Sequence, residues 1–93
     1  MTVARRLVIY GRVQGVFYRG WSVETARDLG LRGWVRNRSD GTVEALLQGE
    51  TPAIERFIDM ARAGPPAARV DRIEAQPVEP DESLELFLQR PTA

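Results

Sequence analysis

The apolar residues of this chain fall into short blocks whose spacing switches between the periods of strand and helix. Leu7-Val8-Ile9-Tyr10, rich in strand formers and closed by Gly11, predicts a first strand over residues 4–12. A loop punctuated by Gly11, Gly15 and Gly20 follows. From Trp21 to Leu29 the spacing turns helical, with Val23, Ala26 and Leu29 three apart. Gly30 before Leu31 then supplies a left-handed helix stop with its hydrophobic contact. Gly33–Asn37 and Thr42–Gln48 read as strands joined by the tight turn Ser39-Asp40-Gly41, a hairpin. Thr51 is a good N-cap with Pro52 at the first position of a second helix. Ile54, Phe57, Ile58 and Ala61 give that helix a core-facing stripe, and Gly64-Pro65-Pro66 ends it. Val70–Gln76 reads as a fourth strand with Ile73 and Ala75 on one face, and Pro77–Asp81 as a loop. In Ser83–Gln89, Leu84, Leu86 and Leu88 alternate with Glu85, Phe87 and Gln89, which predicts a fifth strand.

This order has a geometric consequence. If the first strand runs up, the helix returns and the second strand runs up again. The third pairs with the second and fits between the first and second when the crossover skips a position. The prediction is an α+β fold: a ferredoxin-like βαββαβ sandwich with an added fifth strand, its antiparallel sheet covered on one face by two helices. With no repeat or linker, residues 1–93 are expected to form a single domain. The loop after the first strand and the hairpin turn emerge at the same end of the sheet, so Arg19 and Asn37 become neighbours.

Composition changes the picture mainly by subtraction. All thirteen basic residues are Arg, balanced by thirteen Asp plus Glu, and His, Cys and Lys are absent. Without Cys there is no disulfide framework, thiolate nucleophile or zinc ribbon. Without His there is no imidazole base, and without Lys no Schiff base or phosphate-loop lysine. The carboxylates show no metal-ligand spacing, so neither a metal nor a cofactor is expected. Zero net charge argues against a nucleic-acid partner. Residues 1–10 hold a twin arginine followed by only four apolar residues, too short for a secretory core. No stretch approaches membrane-spanning length, and a cytoplasmic monomer is expected.

What chemistry remains lies in the glycine-punctuated loop. Several backbone N–H groups and the positive end of a helix dipole, presented in one direction, attract an anion. Arg19 sits at that helix start, where a cation is disfavoured by a few tenths to about 1 kcal/mol unless an anion is held beside it. Taken singly, Arg19 also reads as a solvated side chain, Gln14 and Gly15 as turn residues, and Asn37 as a local backbone partner before a turn. Thr42 reads as a strand residue, and Trp21 and Trp34 as packing residues.

Two extended segments decide between these readings. Gly11-Arg12-Val13-Gln14-Gly15-Val16-Phe17-Tyr18-Arg19 closely resembles the first signature of the acylphosphatases, and Gly33-Trp34-Val35-Arg36-Asn37 with Gly41, Val43 and Gly49 resembles the second. They stand in the family's order and spacing, and the resemblance covers about residues 5 to 90. It implies a metal-independent enzyme that hydrolyses the carboxyl–phosphate bond of small acyl phosphates. By the same resemblance Arg19 binds the substrate phosphate with the amides of Gln14, Gly15, Val16, Phe17, Tyr18 and Arg19. Asn37 positions the attacking water, with Thr42 in support. Tyr18 stands where the family usually has Phe, so its hydroxyl needs a partner if buried. The tail Arg90–Ala93 runs past the last strand.

Readings from two other classes stand beside the enzyme. Similar domains occur at the front of larger hydrogenase-maturation proteins, which makes a non-catalytic phosphate or carbamoyl-phosphate binder the first alternative, although a chain standing alone at 93 residues favours the enzyme. An RNA-binding sheet is the second, but Thr42–Gln48 lacks the aromatic-rich signature such a sheet carries.

Overall fold

The computed structural model describes residues 1–93 throughout. Its elements are β1 (Thr2–Arg12), α1 (Tyr18–Asp28), β2 (Arg32–Asn37), β3 (Val43–Glu50), α2 (Thr51–Ala61), β4 (Arg69–Val78) and β5 (Phe87–Gln89). The strands lie in the order β4-β1-β3-β2-β5. As expected, β3 inserts between β1 and β2, and the β4–β1, β1–β3 and β3–β2 pairs are antiparallel. Both helices cover one face, α1 over β2 and β5, α2 over β1 and β3.

Strand alternation sorts the side chains. Leu7 and Ile9 of β1, Val43, Ala45 and Leu47 of β3, and Val35 of β2 are wholly buried beneath the helices. The predicted stripe of α2 is buried there too. Tyr18, Trp21, Phe57 and Phe87 form a row across this core, successive ring centroids lying 5.5, 5.8 and 6.4 Å apart. Thr51 is the first residue of α2 rather than its cap, a shift of one position.

The start of α1 differs from the expectation by three residues. It begins at Tyr18, not Trp21, and buries Tyr18, Ser22, Thr25 and Ala26. Half of that face is polar, so an apolar-spacing rule does not register it. Gly20 in the first turn also lowers local helix propensity, yet the buried ring of Tyr18 holds the turn in place.

The fifth strand departs furthest. It comprises only Phe87–Gln89 and runs parallel to β2, so the sheet is mixed rather than wholly antiparallel. Its phase is also opposite to the leucine pattern: Phe87 is fully buried, while Leu86 and Leu88 are exposed. The cause is topological. β4 and β5 occupy opposite edges. Crossing between them spans roughly 19 Å at about 4.8 Å per strand, which takes about six extended residues. Residues 79–86 make that crossing beyond the end of β4, and a chain re-entering the sheet from there must run against β4, hence along β2. The buried side chain of Gln48 pins the crossing midway, donating to the Asp81 carbonyl (3.0 Å) and accepting from its amide (2.8 Å). In β4, Pro77 belongs to the strand, tolerable because β4 is an edge, and Ala75 is exposed while Ile73 packs on the core.

The helix-free face carries an ionic brace. Glu44, 4% exposed, accepts from Arg36 of β2 (2.7 Å) and from Arg6 of β1. Burial by itself would push the Glu44 carboxyl up, but the hydrogen bonds and charges of the two guanidinium groups outweigh it and hold the group below its ordinary range. A carboxylate whose folded pKa is depressed stabilises the fold above its unfolded pKa and loses that contribution as pH falls through the folded value. Glu44→Ala should therefore destabilise the protein by about 2 kcal/mol at pH 7. The gap from wild type should narrow steadily below about pH 4, as read from urea midpoints across pH.

Candidate active site

The loop between β1 and α1 is fastened at both ends. Val13 and Val16 are buried in the core, and Tyr18, 1% exposed, donates its hydroxyl to the Ala61 carbonyl at 2.7 Å. That carbonyl belongs to the last turn of α2, where main-chain acceptors lack helical partners. The partner that a buried Tyr at position 18 requires is thus present, and burial pushes its phenol pKa up. Between these anchors Gly15 (φ 73°) and Phe17 (φ 67°) are left-handed, which curls the backbone. The amides of residues 14–20 donate to no carbonyl of the protein. Successive N–H groups in such a curl, together with a helix start, make a concavity for an anion.

Gln14 serves the loop through its side chain as well. Its Nε2 donates to the carbonyls of Arg38 and Thr42, 2.8 Å each, tying the loop to the β2–β3 hairpin. Thr42, buried just ahead of β3, donates both its amide (3.0 Å) and its hydroxyl (2.6 Å) to Asp40 Oδ1. These bonds, hydroxyl first, with the Arg38 charge, hold the Asp40 carboxyl below its ordinary range and brace the turn. Thr42 does not line the recess described next; its place is behind the hairpin.

A recess of about 170 Å³ opens between loop and hairpin, lined by Val13, Gly15, Phe17, Tyr18, Arg19, Gly20, Asn37 and Gln89. Arg19, in the first turn of α1 and partly exposed, makes no salt bridge. Asn37, the last residue of β2, carries a buried Oδ1 with no protein partner. The topology therefore brings Arg19 and Asn37 to one cavity. Of the other loop residues expected here, Gly15, Phe17 and Tyr18 line it. Val16 turns into the core and the Gln14 side chain into the hairpin.

Val13, Gly20 and Gln89 line the recess although they were not among the expected site residues. Gln89 arrives only because β5 runs parallel to β2 and so ends at the same end of the sheet as Asn37; no local pattern around residue 89 signals this. The tail continues along β2: Arg90 donates to the Val35 carbonyl (2.8 Å), Ala93 to that of Asn37 (3.0 Å), and Ser39 to that of Ala93 (3.2 Å). Nowhere do three or more acidic side chains converge as a metal site would need, and no helix is long and apolar enough to cross a membrane.

Comparison with known proteins bears on this geometry. The sequence profile of the acylphosphatase family matches residues 5–88. The chain is similar to an acylphosphatase of Rhodospirillum rubrum, 56% identical over 85 residues that cover 90% of this chain and 91% of the other. It is also similar to one of Acidovorax sp., 59% identical over 73 residues, 78% of this chain and 75% of the other. Among solved structures, the acylphosphatase of Bacillus subtilis superposes with a TM-score of 0.91 at 33% identity, covering 95% of this chain and 98% of that one. Full-length HypF, crystallised in a phosphate- and nucleotide-bound form, contains a similar unit: TM-score 0.89, 31% identity, 99% of this chain but 12% of that protein. Both the recess-forming segments lie inside the matched span, and on sequence and fold together the chain belongs to the acylphosphatase family.

Proposed function

We propose that Arg19 and the amides of residues 14–19 hold the phosphoryl group of an acyl phosphate in the recess while Asn37 orients the water that attacks it. Hydrolysis of acyl phosphates is the activity of the family, and the chain is an acylphosphatase by membership. The observation that carries the site assignment is the meeting, in one recess, of an unpaired guanidinium, a curl of amides without acceptors, and a buried amide oxygen without a donor.

Each of these groups suits one requirement of the reaction. The guanidinium fork and converging N–H groups match the equatorial phosphoryl oxygens and stabilise charge that spreads over them in a loose transition state. A water that donates one hydrogen to Asn37 Oδ1 has its lone pair set in direction, and the buried acceptor gains the partner it lacks. The water oxygen bonds to phosphorus as the bridging P–O bond breaks, and that electron pair leaves on the carboxylate. For the dianion, R–CO–O–PO3 plus water gives R–COO⁻ and H2PO4⁻, the water's proton ending on a phosphoryl oxygen. A carboxylate is stable as an anion at neutral pH, so the leaving group needs no general acid, which accounts for a site without His. We also propose that residues 1–93 act as one domain and, in the cytoplasm, as a monomer.

Arg19→Lys should lower kcat/KM for benzoyl phosphate by about a hundredfold or more, because an ammonium does not reproduce the fork; near-normal turnover would remove Arg19 from the clamp. Asn37→Ala should cut kcat by about 10²- to 10³-fold while inhibition by inorganic phosphate stays within about twofold. A collapse of phosphate affinity would make Asn37 a ligand instead. Phosphate release should persist after exhaustive dialysis against EDTA, and a loss restored by a divalent ion would place a metal in the reaction. If the purified protein binds phosphate but releases none from benzoyl phosphate, the non-catalytic binder is the correct reading.

A further inference from the structure

Phe17 is the exposed apolar residue at the recess, and the proposed chemistry leaves its side chain unused. The residue is 65% exposed, an unusual position for a Phe on a small domain. Its backbone is left-handed at φ 67°, a conformation that costs a side-chain-bearing residue roughly 1–2 kcal/mol. The ring is nonetheless seated. It lies against Gly20 in the first turn of α1, so closely that a β-carbon at residue 20 would overlap it. Seated there, it forms part of the wall shared by Arg19, Gly20 and Asn37.

Neither local demand calls for a phenyl ring. Glycine meets the left-handed backbone without strain, and Asn meets it at a smaller cost with a polar side chain. What the ring adds is an exposed planar apolar surface; the other apolar lining residues, Val13 and Tyr18, are buried in the core. An acyl phosphate joins its phosphorus to the carbonyl carbon through a single oxygen. With the phosphoryl group on the loop amides, the acyl substituent has to emerge at the recess wall within a few ångströms of the cradle. Phe17 brings both an amide without an acceptor and an apolar ring to this recess.

We propose that Phe17 is a specificity-determining residue that packs its ring against the acyl group, favouring acyl phosphates with an aromatic or similarly flat apolar acyl group over those with an acetyl-sized one. The proposal rests on the reading of the recess as an acyl phosphate site. An aromatic contact of this kind corresponds to a preference of about three- to tenfold.

The test compares kcat/KM for benzoyl phosphate and acetyl phosphate in wild type, Phe17→Gly, Phe17→Asn and Phe17→Tyr. Glycine and Asn both accept the left-handed backbone, so the loop has two independent chances to keep its shape. The benzoyl-to-acetyl ratio should fall about three- to tenfold in both and be retained in Phe17→Tyr, which keeps the ring. Equal proportional losses on the two substrates, or an unchanged ratio, overturn the proposal and leave the ring a purely structural role. Failure of the wild-type protein to release phosphate from either substrate is a different result: it overturns the hydrolytic reading beneath the proposal.

Discussion

Peptide N–H groups withdrawn from every carbonyl must find another acceptor, and residues 14–20 are held in that condition. The loop's own sequence does not lock it there. Core burial of Val13 and Val16, the Tyr18 hydroxyl on the end of α2, and the Gln14 amide on two hairpin carbonyls fix it from three directions. In the proposed reading these donors stand in advance where charge develops and need not reorganise during reaction, the largest single means by which a site without acid or base can accelerate bond breaking. The positively charged Arg19 in the first turn of α1, unfavourable by the helix dipole alone, makes sense in the same terms, since an anion between guanidinium and amides is attracted by all of them.

Topology delivers the second half of the site. Inserting β3 between β1 and β2 places the β1–α1 loop and the β2–β3 hairpin at one end of the sheet. The crossing from β4 to the far edge then obliges β5 to run parallel to β2, which carries Gln89 and the tail to that same end. The hairpin that bears Asn37 is consequently gripped from both sides: Gln14 bonds to the carbonyls of Arg38 and Thr42, and Ala93 bonds to that of Asn37.

The opposite face of the sheet explains how a chain without Lys uses its arginines. Glu44 lies between Arg6 and Arg36, immediately across from the residue preceding Asn37. Trp34 is flanked by Arg36 and Arg90 at 4.7 and 5.0 Å, and Arg72 lies 3.9 Å over the Tyr10 ring. A planar guanidinium stacks and bonds bidentately at once, which an ammonium does not. The sheet face thus becomes a cross-linked layer that ties β1, β2 and β3 together. Trp34 is a packing residue within that layer, as Trp21 is within the aromatic row of the core.

By itself the sequence determined the kinds and order of the elements, the hairpin at Ser39-Asp40-Gly41, the buried stripe of α2, and the glycine loop with Arg19 facing Asn37 across one end of the sheet. These rest on local periodicity, turn chemistry and chain reversal, which are carried by neighbouring residues. Only the tertiary structure decided the start of α1, because its buried face includes Ser22 and Thr25 and depends on what covers it. The same holds for the direction and phase of β5, where a period of two marks alternation but not which half faces the helices. Gln89 at the recess, the Gln14 bridge and the unpartnered oxygen of Asn37 belong here as well. Each arises where segments distant in the chain meet, and a side chain's role there is set by its opposite number, not by its neighbours in sequence.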